Sequence, residues 1–346
     1  MESTETTATM TTITTATATA NANIALIKYW GKRDEKLILP TNSSLSFTMD
    51  EQLSTKTTVE FSNEFNNDEF YLNGQKATDK ETARIIEFLD LIRARAKTSL
   101  KAKVISQNTF PKSAGLASSA SAFAALAGAA SKAAGIELST RELSIIARRG
   151  SGSAIRSIYG GAVKWEMGKK KDGSDSIAVQ LVNKEHWPEI RNVIGIMTKE
   201  EKKVSSRAGM AETIKTSSLY KVRLKSVRKR LKIAETAILK KDFHALAEII
   251  MRESNNMHAV MFDSWPPIMY LNNASKGIIE STINFNLEKG KNAIAYTFDA
   301  GPNPHLYTTV EYVNDAKALL KENGISEIIV CKVGDGLQFS KNHLKV

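Results

Sequence analysis

The stretch from Phe110 to Ala134 limits the possible folds more than any other part of the chain. Pro111 opens it, Gly115 and closely spaced serines follow, and an alanine-rich run without proline or β-branched residues completes a helix former. One reading is a small-residue helix packed closely against a sheet. The other is anion binding, because the loop offers unhindered N–H groups and hydroxyls at a helix N-terminus, where the helix dipole favours negative charge. Taken alone, the stretch supports both equally. Nothing in it matches G-x-x-x-x-G-K-[ST], which disfavours a P-loop nucleotidase.

Around this helix the pattern is mixed. Residues 11–28 read as extended, since Thr and Ile alternate with small residues before the apolar run Ile24 to Ile27. Short strands are predicted at 45–47, 57–61 and 70–72, with Asn73 and Gly74 supplying a tight hairpin. A helix is predicted over 80–98, and a second over 139–149 with Ser139 as N-cap and Glu142 completing a capping box. The charged segment 169–175 reads as a hairpin tip, with strands at 177–182 and 193–197 after it. The second half is predicted to hold a long basic helix over 208–240, a helix over 242–262, a helix broken near Pro266 and Pro267, and strands near 293–298 and 327–333.

A chain of 346 residues suggests two domains, with residues 1–192 forming the first, 193–346 the second, and the first ten residues disordered. No apolar run approaches the roughly 20 residues that cross a bilayer, and Ala120 to Ala134 is interrupted by Lys132. The Thr-rich start has no Lys or Arg before Lys28 and so lacks the pattern of an export signal. The single Cys331 excludes a disulfide framework and fits a reducing, cytoplasmic compartment. A net charge of +11 admits nucleic acid, an anionic membrane or a polyanionic small molecule. Its densest run, Lys221 to Lys232, reads as a solvated helix face, with Leu219, Val222, Val227, Leu231, Ala234 and Ile238 turned inward. No nucleic-acid-binding signature accompanies it, so neither nucleic acid nor a membrane is expected as partner.

Three further stretches carry chemistry. Gly150 to Arg156 pairs glycines that let a ligand approach the backbone with Ser151, Ser153 and Arg156 as donors for phosphate oxygens; the plainer alternative is a loop with one surface arginine. Lys28 to Lys32 places two ammonium groups and the phenol of Tyr29 just past an apolar strand. Ala295 to Asn303 is an apolar strand that delivers Asp299 into a turn made by Gly301 and Pro302, either as a general base or as a turn former.

Together these stretches carry a resemblance. Asn23-Ile-Ala-Leu-Ile-Lys-Tyr-Trp-Gly-Lys-Arg33, Leu39-Pro-Thr-Asn-Ser-Ser-Leu-Ser46, Gly115-Leu-Ala-Ser-Ser-Ala120, Arg149-Gly-Ser-Gly-Ser-Ala154 with Arg156-Ser157, Met257-His-Ala-Val260, Pro266-Pro-Ile268 and Tyr296-Thr-Phe-Asp-Ala-Gly-Pro-Asn303 closely resemble diphosphomevalonate decarboxylases of the GHMP kinase superfamily. The resemblance covers about residues 11 to 340. It implies an α+β GHMP kinase fold, with an N-terminal domain of the ribosomal-protein-S5 type, a ferredoxin-like C-terminal domain, and the active site between them. It implies ATP and Mg2+, conversion of mevalonate 5-diphosphate to isopentenyl diphosphate with release of CO2, ADP and phosphate, and a homodimer.

The resemblance also implies residue roles. Asp299, Lys28 and Arg156 would be catalytic, and Tyr29, Lys32, Ser151, Ser153, Arg156 and Arg207 would bind the substrate. Asn108, Gly115, Leu116, Ala117, Ser118, Ser119 and Ser121 would hold ATP, with the metal near Ser118 or Ser119. Lys112-Ser113 and Ile155 depart from the usual pattern without removing a group the chemistry needs. Decarboxylation of the 5-phosphate, or phosphorylation by a mevalonate-type kinase, is the alternative within the same fold. A nucleic-acid-binding protein would account for the charge but leave Asp299 and the glycine loops unexplained.

Overall fold

The structure, a computed structural model, describes residues 14–110, 118–197 and 204–346. The strand Thr14–Asn21 alternates threonine with alanine, and its pleat turns Ala16, Ala18 and Ala20 to one buried face. It belongs to a six-stranded sheet in the order Gln338–Ser340, Thr14–Asn21, Ser54–Ser62, Lys101–Asn108, Glu69–Leu72 and Gln75–Lys76. Glu69–Leu72 runs parallel to Lys101–Asn108, and Asn73 and Gly74 turn the last hairpin with positive φ. Helices α1 (Asp79–Ala96), α2 (Ser118–Ala133) and α3 (Thr140–Gly150) share a core with this sheet. The small residues of α2 meet the small residues of Thr14–Asn21, so the tight helix-on-sheet reading of the alanine run holds. Both α1 and α3 open on complete capping boxes, Thr78 with Glu81 and Ser139 with Glu142.

A second sheet runs Ala178–Val182, Ala162–Trp165, Ser44–Thr48 and Asn23–Ile27. The chain then forms α4 (Ser206–Thr216), α5 (Tyr220–Lys240), α6 (Phe243–Phe262), α7 (Asn273–Glu288) and α8 (Val313–Glu322). Ile24, Leu26 and Phe47 of the second sheet pack with Val227 and Ile238 of α5 and Leu246 and Ile250 of α6. The third sheet, Ile294–Phe298, Pro304–Thr309, Ile190–Gly195 and Ile328–Lys332, is antiparallel throughout. Its Ala295 and Tyr307 join the core shared with α6, while Val193, Ile294 and Leu306 pack with α7 and α8. Among the described residues no helix is long and apolar enough to cross a membrane.

The structure corrects several expectations. The predicted helix over 208–240 is two helices, α4 and α5, because the Asp263 carboxylate collects the hydroxyls of Ser217 and Ser218 and the N–H of Leu219 and so stabilises a break. The basic run is not simply a solvated face: Val222 is 62% exposed, Leu219 is also exposed, and Arg223 is fully buried. Residues 263–272, where a broken helix was predicted, contain no helix. The strand Pro304–Thr309 was not predicted, and Gln338–Ser340 returns the end of the chain to pair with Thr17, Ala18 and Thr19. The first ten residues lie outside the described residues.

Candidate active site

Two apolar strands end at the same point in space. Lys28 follows Asn23–Ile27, Asp299 follows Ile294–Phe298, and the Lys28 Nζ lies 2.7 Å from the Asp299 Oδ1. The lysine side chain is 1% exposed and the aspartate 29%, so the ammonium backs a carboxylate that opens toward solvent. Beyond Lys28 the chain turns at Gly31, whose φ of +125° only glycine adopts freely; a Cβ there would also lie 1.8 Å from the Tyr220 hydroxyl. That hydroxyl donates to the Trp30 carbonyl at 2.9 Å, which holds the turn.

Tyr29, in this turn, packs against Trp165 with ring centroids 4.7 Å apart. Its hydroxyl is buried and has no hydrogen-bond partner among the described residues. Burial pushes its phenol well above the ordinary range, the carboxylate of Glu35 adds to the rise, and Arg156 and Arg207 oppose it. Tyr29 is therefore a neutral, unspent O–H donor. The Lys32 amine is buried and pairs with the Glu35 carboxylate.

Arg156 lies in the 3-10 helix Gly152–Ile158, directly after α3. It is buried, which removes the surface-arginine alternative. Its Nε donates to Asn23 Oδ1 at 3.1 Å and Ser46 Oγ at 3.0 Å, and its Nη1 donates to Ser44 Oγ at 2.5 Å. Loss of solvent pushes its guanidinium down to about 10, against the opposing charge of Asp299, so it remains a cation at neutral pH. Asn23, Ser44 and Ser46 consume two of its nitrogens, and no hydrogen bond among the described residues uses Nη2.

Ser151 Oγ lies 3.1 Å from Ser119 Oγ and 3.3 Å from Ser153 Oγ, which joins this loop to the N-terminus of α2. Gly152 allows the loop to approach Tyr29, since a Cβ there would lie 2.8 Å from its ring. Beside them is a cleft of about 160 Å³, with Phe70, Leu72, Phe123 and Leu126 as apolar wall and Asn108, Ser118 and Ser119 among its polar lining. Asn108 Oδ1 accepts from Thr55 Oγ1 at 2.9 Å. Ser121 is buried, with its hydroxyl engaged by Thr55 and the Ser118 carbonyl, so it braces the cleft from behind. Gly115, Leu116 and Ala117 lie outside the described residues. Arg207, exposed in the first turn of α4, is close enough for its charge to act on Tyr29 and on Arg84.

Sequence reasoning assigned no role to several residues found here. Arg84 of α1 lines the cleft, donates to the Gly150 carbonyl at 3.0 Å and places its guanidinium 4.5 Å from the centre of the Phe123 ring. Nothing local marks it out among the charges of an exposed helix. Asn23, Ser44 and Ser46 stood inside quoted motifs, but only the fold brings them to Arg156. Among the described residues no group of three or more His, Cys, Asp or Glu side chains could hold a metal ion. The oxygens lining the cleft are the hydroxyls of Ser106, Ser118 and Ser119, the Asn108 amide and the Glu81 carboxylate, an all-oxygen set that suits a hard ion carried on phosphate.

Comparison with known proteins matches residues 20–178 to the diphosphomevalonate decarboxylase-like N-terminal domain, and residues 192–327 to the mevalonate 5-diphosphate decarboxylase C-terminal domain. The diphosphomevalonate decarboxylase of Rattus norvegicus is 44% identical over 316 residues, which cover 87% of this chain and 78% of that protein. A solved structure of MDDEF in complex with MVAPP, AMPPCP and magnesium superposes with a TM-score of 0.88 at 40% identity, covering 96% of this chain and 100% of that one. The mevalonate diphosphate decarboxylase from Staphylococcus aureus does so with a TM-score of 0.89 at 38% identity, covering 95% and 99%.

Proposed function

The chain belongs to the diphosphomevalonate decarboxylase family and has its two-part α+β GHMP kinase fold, and from that premise we propose that it converts mevalonate 5-diphosphate and ATP to isopentenyl diphosphate, CO2, ADP and phosphate. The observation that carries the proposal is the Lys28–Asp299 pair at 2.7 Å, flanked by a buried Arg156 and a Tyr29 hydroxyl with hydrogen-bonding capacity to spare.

The reaction needs a poor leaving group made into a good one. A tertiary hydroxyl becomes a phosphate at the expense of ATP, and that phosphate departs as the carboxylate leaves as CO2. Asp299 accepts the hydroxyl hydrogen and fixes the direction of attack; paired with an ammonium it is a weak base, so orientation is its larger contribution. Lys28 offsets negative charge as the phosphoryl group approaches. Arg156, with Nη2 unspent, holds the substrate's anionic end from a rigid setting. Tyr29, Lys32, Ser151, Ser153 and Arg207 bind the diphosphate and carboxylate.

Asn108 and the N-terminus of α2, with the stretch Gly115 to Ala117 before it, hold the nucleotide, and the hydroxyls of Ser118 and Ser119 would hold a magnesium ion. Such an ion, when bound, neutralises phosphate charge. The proposal extends to a cytoplasmic homodimer, which rests on the family resemblance; sedimentation as a single 38.0 kDa species would overturn the dimer.

The deciding experiment incubates the protein with ATP and, separately, mevalonate, its 5-phosphate and its 5-diphosphate, and scores CO2 and ADP independently. The expected result is coupled CO2 and ADP release with the diphosphate, and a kcat/KM lower by several powers of ten with the monophosphate, which leaves charge-assisted donors unpaired. Equal kcat/KM for the two compounds would identify a monophosphate decarboxylase, and ADP without CO2 a kinase.

A further inference from the structure

Lys28 sits where regular strand pairing fails. The register between Asn23–Ile27 and Ser44–Thr48 shifts between Ala25 and Ile27, so the next peptide relies on side chains for its hydrogen bonds. The Lys28 N–H donates to Glu253 Oε1 at 3.2 Å, and its carbonyl accepts from Asn42 Nδ2 at 3.0 Å and Arg223 Nη2 at 3.3 Å.

Glu253 itself is wholly buried on α6, its charge matched by Arg223 at 2.6 Å on one oxygen and Arg230 at 2.6 Å on the other. The next residue along, Ser254, accepts the Phe298 N–H at 3.0 Å, and one turn further the His258 ring packs edge-on against the Phe298 ring, with centroids 6.3 Å apart. One helix face thus holds both backbones that deliver the reacting pair.

We propose that Glu253 is a positioning residue for the reaction: by holding the Lys28 peptide to the same helix that holds Asp299, it sets the spacing of the Lys28–Asp299 pair. The two arginines pair with the two oxygens of the buried carboxylate and keep it aimed. The activity readout rests on the decarboxylase reading, whereas the structural readout does not.

The test replaces the ionic triad as a unit with Arg223→Met, Glu253→Met and Arg230→Met, because apolar replacement of a whole buried triad is often neutral or stabilising and strands no charge. The expected result is a melting temperature near that of the parent, an unchanged KM for ATP, a kcat at least tenfold lower, and a crystal structure in which the Lys28 Nζ to Asp299 Oδ1 distance has lengthened beyond 3.5 Å. Placing Glu253→Gln in the two-arginine-to-methionine background restores only the acceptor for the Lys28 N–H, and should recover most of the kcat. A kcat within threefold of the parent, an unchanged distance, or no recovery with glutamine would each overturn the proposal. If the triple variant does not fold, hydrogen exchange on the native protein decides, since a Lys28 amide exchanging less than tenfold slower than an open peptide would also overturn it. Absence of turnover in the parent would fault the decarboxylase reading alone, and the measured distance would still judge Glu253.

Discussion

Asp299 opens toward solvent with its charge matched by the buried ammonium of Lys28 at 2.7 Å. Asp299→Asn should lower the melting temperature, because it leaves the buried Lys28 ammonium without its counter-charge, but leave the fold and nucleotide binding intact while kcat collapses; retention of more than about a tenth of the parent kcat, under about 1.4 kcal/mol in barrier, would remove Asp299 from its role. Arg156→Lys tests the opposite property. Its Nε and Nη1 are fixed by Asn23, Ser46 and Ser44, and an ammonium cannot repeat that fork. The expected outcome is a KM for the mevalonate substrate raised tenfold or more with KM for ATP unchanged, and steady-state kinetics showing neither KM nor kcat altered would reduce Arg156 to a structural cation. Lys28 and Asp299 were legible because each ends an apolar strand at a turn. The burial of Arg156 was not, because its three partners lie more than a hundred residues away in sequence.

The elements that sequence located well are those whose signals are local. Ser139 and Glu142 bound α3, and Asn73 with Gly74 set a hairpin, through contacts within a few residues. The break between α4 and α5 was invisible because the stabilising carboxylate, Asp263, arrives from beyond α6. The inward side of α5 was misjudged for the same reason: Glu253 on the neighbouring helix makes burial of Arg223 favourable while Val222 faces solvent. The 3-10 helix Gly152–Ile158 shows how an element's start serves the site, since Gly152 lets it close on Tyr29. Gly152→Ala would bring a methyl within 2.8 Å of the Tyr29 ring, so the ring, wedged against Trp165, must move. The expected effect is a KM for the diphosphate substrate raised about tenfold, roughly 1.4 kcal/mol, at an unchanged melting temperature and KM for ATP; an unaltered substrate KM would show that Tyr29 does not bind it.

Across the whole molecule, the second and third sheets share their core with α5 and α6, and the cost of placing a charged site against that core falls on two histidines. Burial pushes His258 of α6 and His305 of Pro304–Thr309 each down to about 4; the Lys28 ammonium deepens both shifts, and Asp299 opposes them. An unfolded histidine titrates near 6.5, so between about pH 6.5 and 4 the unfolded chain binds protons that the folded protein refuses. A folded pKa below the unfolded one means that stability is fully present above about pH 6.5 and is lost as pH falls toward 4. From pH 7 to pH 5 the linkage amounts to about 2 kcal/mol per histidine, or about 4 kcal/mol if the two titrate independently, a large share of the stability of an ordinary domain. Urea unfolding at pH 7, 6 and 5 measures it directly, and a free energy of unfolding that stays level across that range would show that neither ring is held neutral. His305→Gln, which keeps a polar partner for Asn192 while removing one titrating group, should flatten the slope by about half and leave the fold intact. Because Lys28 contributes to both shifts, Lys28→Met should raise the pKa of each ring and also shallow the slope, tying acid stability to the same ammonium that is proposed to serve the reaction.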